Sequence, residues 1–176
     1  MRIAVGSDHA GFDLKTALAK HMVDAGHQII DVGTDSPDVE VDYPVFGLAV
    51  GQAVAEGRVD RGICVCGTGI GIGIAANKVH GVRAALVHDV TTASLSRRHN
   101  DANVICLGGR TTGMQEAVDA VDAFFSVEFE GGRHLHRLHE ISDYESNGSH
   151  AGASTTTEGT TTEGTTTTDT ATTERS

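Results

Sequence analysis

A cysteine stands where an apolar run gives way to alternating glycines, Cys66-Gly67-Thr68-Gly69-Ile70-Gly71-Ile72-Gly73. The pattern marks a strand turning into a helix, where unpaired backbone N–H groups can lower a thiol's pKa and hold an anion. A thiolate beside N–H donors and the Thr68 hydroxyl is suited to taking a proton from a carbon next to a carbonyl. The enediolate so formed needs donors aimed at its oxyanion, worth on the order of 3 kcal/mol for a single one. Because a free thiol titrates near pH ~8.5, the turn has to lower that value if Cys66 is to act as a base at neutral pH.

Other chemistries of glycine-rich turns lack a defining residue here. A dinucleotide fingerprint G-x-G-x-x-G meets Ile72 or Ile74 at its third glycine, depending on where the count begins. Gly6 to Gly11 opens like a phosphate-binding G-x-x-x-x-G-K-[ST], but Phe12 and Asp13 follow it. A cysteine phosphatase loop would need an arginine at position 72. Cys64 and Cys66 are spaced too closely for a zinc pair, and Cys106 is the only other thiol, so Cys64 and Cys106 read as small buried residues and no metal site is expected. His134 and His136 would point about 200° apart on a helix, at ~100° per residue. Together with His80, His88 and His139 they read as surface or rim histidines.

The elements that must position Cys66 recur along the chain. Five β-rich runs, Ile3 to Val5, Gln28 to Val32, Gly62 to Cys66, Arg83 to Val87 and Val104 to Gly108, alternate with helical patterns. They predict a Rossmann-like, doubly wound, five-stranded parallel sheet in a three-layer α/β/α arrangement. Helices are expected over Phe12 to Ala25, from Pro44 toward Gly57, after the Gly67–Gly73 turn, near Thr91 to His99, over Gln115 to Phe125, and from Gly132 to Tyr144. In such sheets ligands bind at the carboxyl ends of the strands. Asp8 and His9, the Cys66 turn, the Arg98-His99-Asn100 run and Arg110 are all expected at that edge. Arg133 and Arg137, at i and i+4, share one helix face and could converge on one anion. Gly47 and Gly51 permit close backbone approach, but their spacing suits packing within one chain as well as between chains.

Composition bounds the partners. A chain of 176 residues with 22 glycines, no tryptophan and a formal net charge of −11 fits one parallel-sheet domain and excludes a general affinity for nucleic-acid phosphates. No apolar stretch is long enough to span a bilayer, and three cysteines fit a reducing, cytoplasmic setting. The domain is expected to occupy residues 1–145. Residues 146–176, rich in Thr, Gly and Glu, carry too little apolar surface to offset their ordering entropy and read as a disordered tail.

Seven segments, taken in order, resemble ribose-5-phosphate isomerase B and its relatives, the galactose-6-phosphate isomerase subunits among them. They are Gly6 to Phe12, Asp42-Tyr43-Pro44, Cys66 to Gly71, Ala75 to Lys78, Ser96 to Asp101, Gly108-Gly109-Arg110 and Gly131 to His134. The resemblance implies interconversion of ribose 5-phosphate and ribulose 5-phosphate through a cis-enediolate, with no metal or organic cofactor. It implies Cys66 as the base and His99 as the group that helps open the furanose ring, a task suited to an imidazole titrating near ~6.5. Thr68 and the N–H groups of Gly67, Gly69, Ile70 and Gly71 become the cradle for the sugar oxygens. Asp8, Tyr43 and Asn100 become sugar contacts, and His9, Arg110, Arg133 and Arg137 the phosphate pocket, where guanidinium forks suit a dianion.

The resemblance also implies a site shared between subunits, hence a homodimer or a dimer of dimers. A branch of the family that lacks the cysteine carries a glutamate where this chain has Ile72, which places this chain with the thiol branch. Other phosphorylated sugars, such as galactose 6-phosphate, allose 6-phosphate or a tetrose phosphate, would meet the same motif residues. A redox-sensing thiol would give no reason for the arginines. A non-catalytic sugar-phosphate-binding subunit would have no need of Cys66, Thr68 and His99 together.

Overall fold

A computed structural model describes residues 1–148. The expected tail falls almost entirely outside them. Five strands, β1 (Arg2–Ser7), β2 (Gln28–Asp31), β3 (Arg61–Cys66), β4 (Ala84–Leu86) and β5 (Val104–Gly108), form one sheet in the order β2-β1-β3-β5-β4, every pair parallel. Six helices surround it: α1 (Phe12–Asp24), α2 (Tyr43–Ala55), α3 (Ile70–Ala76), α4 (Val90–Asn100), α5 (Met114–Ser126) and α6 (Arg133–Asn147). The doubly wound reading therefore stands, with small changes at the ends. α2 starts at Tyr43, with Pro44 in its first turn, and α6 runs to Asn147 before Gly148 caps it in the left-handed conformation. No helix among the described residues is long and apolar enough to cross a membrane.

Side chains alternate across the sheet, and each face buries its own core. Ile3, Val5, Ile63, Val65, Ile105 and Leu107 face the layer of α1, α4 and α5, where Leu18, Met22 and Phe124 complete the packing. Ala4, Cys64, Cys66, Val104 and Cys106 face α2 and α3. Burial on both faces explains why the central strands β1, β3 and β5 read as continuous apolar runs rather than alternating ones.

The α2–α3 layer is built from small residues, and its backbones lie correspondingly close. A Cβ at Gly47 would stand 2.6 Å from the Ile72 carbonyl oxygen, and one at Gly51 would stand 2.9 Å from Val79 Cγ2. These glycines thus pack helix on helix within the chain. Since α3 opens directly beyond Cys66, α2 sets the position of the turn. Gly47→Ala is expected to destabilise the fold by about 1–3 kcal/mol through overpacking, read as a lower urea midpoint with an unchanged m-value. A midpoint equal to that of the wild type would show that the layer can relax.

Candidate active site

The strand order reverses direction about β1 and β3, because the chain passes from β1 to β2 on one side and to β3 on the other. A crevice forms at the carboxyl ends of strands at such a switch point. The loops after β1, β3 and β5 meet there at close quarters. Gly109 N–H donates to the Cys66 carbonyl at 2.8 Å, and Arg110 N–H to the Gly67 carbonyl at 3.0 Å. A Cβ at Gly11 would strike the Val65 carbonyl at 2.6 Å, and one at Gly109 the Ala10 carbonyl oxygen at 2.6 Å.

This crevice gathers one group of the expected residues. Cys66 is buried, and its Sγ accepts the Gly69 N–H at 3.2 Å. Gly69 has φ +77°, a left-handed value that favours glycine, and it turns the chain into α3. Thr68 and Ile70 are exposed on that turn, and the first-turn N–H groups of α3 have no partner inside the helix. The Tyr43 ring lies against Gly71, where an added Cβ would stand 2.5 Å from its Cζ. Asp8 is buried, with Oδ1 accepting the Gly11 N–H at 3.0 Å. His9 Nδ1 accepts the Val41 N–H at 3.2 Å, so in the neutral ring Nε2 carries the proton and is a donor. Arg110 lies over Gly67, its Cδ and Nη1 each 3.6 Å from an added Cβ.

His99, Asn100, Arg133 and Arg137 do not join this group, which corrects the expectation that His99 and Asn100 lie at the carboxyl edge. α4 runs antiparallel to the strands and ends where β5 begins. Asn103, three residues beyond α4, accepts the Gly62 N–H at 2.9 Å, at the start of β3. Cys66 is four residues further along that strand, roughly 13 Å at about 3.3 Å per residue. Within one chain the two sets occupy opposite edges of the sheet.

The second group has its own fixed geometry. Asp101, at φ 43°, ends α4, and its carboxylate is held by Arg83 Nη2 and Arg97 Nη1, each at 2.8 Å. His99 follows from that anchor. Two residues escaped the sequence reading. His134, expected at the surface or rim, is only 4% exposed and stacks on His99, with ring centroids 4.3 Å apart and planes 8° apart. Glu130 faces both rings and pairs with Arg98 at 2.7 Å. The signal for His134 was the inward face of α6, which it shares with buried Leu138. His80, His88, His136 and His139 are exposed as expected.

Arg110, Arg133 and Arg137 are exposed and have no ion pair among the described residues. Each of Arg2, Arg58, Arg61, Arg83, Arg97 and Arg98 faces a carboxylate. Cys64 and Cys106 are fully buried and face each other across β3 and β5. Their mutual hydrogen bond, then burial, pushes the Cys64 thiol well above its ordinary value. Both therefore belong to the core, as expected.

Residues 3–141 match the family described as Ribose/Galactose Isomerase. The chain belongs to that family. It is 46% identical over 144 residues to ribose-5-phosphate isomerase B of Escherichia coli K12, covering 82% of this chain and 96% of that one. Among solved structures it is similar to ribose-5-phosphate isomerase B of Clostridium thermocellum (TM-score 0.82, 48% identity, 85% of this chain and 100% of that one). It is also similar to the Mycoplasma genitalium enzyme with bound ribulose 5-phosphate (TM-score 0.80, 41% identity, 83% and 97%). Membership makes the chain an isomerase of the ribose/galactose isomerase family, and the crevice at the switch point is its candidate active site.

Burial first, and then the charges of His99, Arg133 and Arg137, lower the His134 pKa below its ordinary 6.5. The unfolded chain therefore binds the proton more readily in the window just below pH 6.5. The contribution to stability is complete above that window and is lost as pH falls through it. Urea midpoints measured across this range should fall less steeply for His134→Gln than for the wild type. Parallel profiles would remove His134 from the acid response.

Proposed function

We propose that the protein interconverts ribose 5-phosphate and ribulose 5-phosphate through a cis-enediolate, with Cys66 as the base. The observation that carries this reading is the Cys66 sulfur held at the end of β3 by the Gly69 N–H, in the crevice that also holds Asp8, Tyr43 and Thr68. In the open-chain aldose, the Cys66 thiolate takes the proton from C2. The electron pair of that bond forms the C1–C2 double bond, and the C1 carbonyl oxygen becomes the oxyanion. The thiol returns the proton to C1 while the C2 hydroxyl proton passes to the C1 oxyanion, so that C2 becomes the ketone and O1 a hydroxyl. Thr68 and the N–H groups between Gly67 and Gly71 face the developing charge, which a preorganised turn stabilises without reorganising. Asp8 and Tyr43 orient the sugar hydroxyls.

His99 assists the preceding step, ring opening, in which the furanose ring oxygen gains a proton and the C1 hydroxyl gives one up. Asn100 supports the sugar beside it. His9 offers a donor, and the guanidinium groups of Arg110, Arg133 and Arg137, unpaired among the described residues, hold the phosphate. Gripping that remote group uses binding energy to orient a flexible open-chain substrate.

Opposite sheet edges within one chain leave His99, Arg133 and Arg137 unable to serve the Cys66 crevice of their own copy. The site is therefore completed by a second copy, which contributes these residues across a two-fold interface. Exposed Val45, Ile70 and Ile74 beside the crevice supply apolar surface for it.

Steady-state kcat/KM on ribose 5-phosphate, galactose 6-phosphate, allose 6-phosphate and erythrulose 4-phosphate, with chelator present, tests the substrate. The expected result is a preference for ribose 5-phosphate, and a preference for another sugar would overturn that choice. Cys66→Ala should lower kcat by at least a thousandfold with substrate binding retained. Mixing Cys66→Ala and His99→Asn chains under exchange conditions tests the shared site. Half of the dimers would then be mixed and each would hold one intact site, so about one quarter of wild-type activity should return. No recovery would place both groups in one copy.

A further inference from the structure

We propose that His99, Glu130 and His134 form a binding site for a divalent transition-metal ion of the zinc type, and that an ion bound there withdraws His99 from catalysis. The three residues come from the last turn of α4, the segment before α6 and the first turn of α6. Glu130 Oε2 lies 3.8 Å from His99 Nε2 and 3.9 Å from His134 Nε2, and the three ligand atoms all lie within 4.8 Å of one another. These separations are too long for hydrogen bonds. No other hydrogen-bond partner meets either ring among the described residues.

The carboxylate-to-imidazole spacing is near what an ion would impose. Ligand atoms around a tetrahedral zinc, with bonds near 2.0–2.1 Å, lie roughly 3.4 Å apart. Each carboxylate-to-imidazole edge would have to close by about half an ångström, and the nearly parallel stacked rings would have to rotate until their lone pairs converge, because the ligand atoms now span up to 4.8 Å. Two imidazoles and one carboxylate are a set that zinc and its neighbours accept, with a fourth position left for water. The supporting contacts are present as well. Arg98 holds the other oxygen of Glu130 at 2.7 Å, and Glu130 N–H donates to the Arg98 carbonyl at 3.0 Å. Gly131 and Gly132, at φ 65° and 58°, make the turn that brings Glu130 back onto His134. Partners of this kind orient the ligands. The nearby guanidinium groups of Arg98, Arg133 and Arg137 oppose a cation and keep the site weaker than a structural zinc centre, which suits reversible occupancy.

Ion binding is a property of these three side chains alone, whereas inhibition rests on the ring-opening role proposed for His99. A bound ion would occupy the Nε2 lone pair that moves the proton. Equilibrium dialysis of zinc against the chelator-treated full chain should give one ion per chain in the wild type and in Cys66→Ala. Glu130→Gln and His134→Gln should each weaken binding at least tenfold, with folding checked by circular dichroism. Cobalt(II) in place of zinc should show tetrahedral visible bands without a thiolate charge-transfer band. Zinc should inhibit turnover with the midpoint seen in dialysis and release it on chelation. Absent saturable binding, binding lost in Cys66→Ala, or affinity unchanged in Glu130→Gln would overturn the site. Saturation with full turnover would overturn the withdrawal of His99. A chelated protein inactive on every sugar phosphate would instead count against the isomerase reading before any ion is added.

Discussion

Every strand of this sheet runs the same way, so each connection must carry the chain back across the height of the sheet before the next strand can start. A helix that leaves the carboxyl edge therefore delivers its last turn to the amino edge. That requirement places the Cys66 turn and the end of α4 on opposite sides of the molecule. It also gives the two edges different characters. Glycines, short loops and main-chain hydrogen bonds shape the carboxyl edge. Arginines, carboxylates and stacked imidazoles shape the amino edge.

The carboxyl edge depends on what is missing from its side chains. With no Cβ at Gly11 and Gly109, three loops approach one another closely, and the Cys66 carbonyl is tied to Gly109. On the far side, Gly47 and Gly51 let α2 lean on α3, so a helix of only seven residues is held along its length. A helix so short would not persist alone in water. Its support is tertiary, which explains how a turn rich in glycine keeps a defined shape.

Much of this was legible in the sequence. The runs of β1, β3 and β5 were legible because both sheet faces are buried there, and Pro44 and Gly26 marked helix ends for local reasons of backbone chemistry. Asp8, His9, Cys66, Thr68 and Arg110 could be read because they end strands or follow them directly in the chain, whereas Tyr43, at the start of α2, was named only through the family resemblance. His99 misled because position next to a strand in sequence does not say which edge of the sheet is meant. The stacking of His134 on His99 was hidden for a different cause. It depends on where α6 docks against α4, a long-range contact that no local spacing encodes, and Glu130 joins it only through the turn at Gly131 and Gly132.

The arginines divide into an inner and an outer set. Arg61 and Arg97 are buried beneath Phe124, donating to the Phe124 and Ala102 carbonyls at 3.0 and 2.6 Å. Burial, and then Arg97, lowers the Arg61 pKa, while the carbonyls at the end of α5 offer the negative end of a helix dipole in return. Arg110, Arg133 and Arg137 face solvent. Dissolved salt screens exposed charges over about 10 Å at 0.1 M and screens buried ones far less. Raising the ionic strength would therefore weaken the pull of the outer set on an anion while the inner set went on holding the amino edge together.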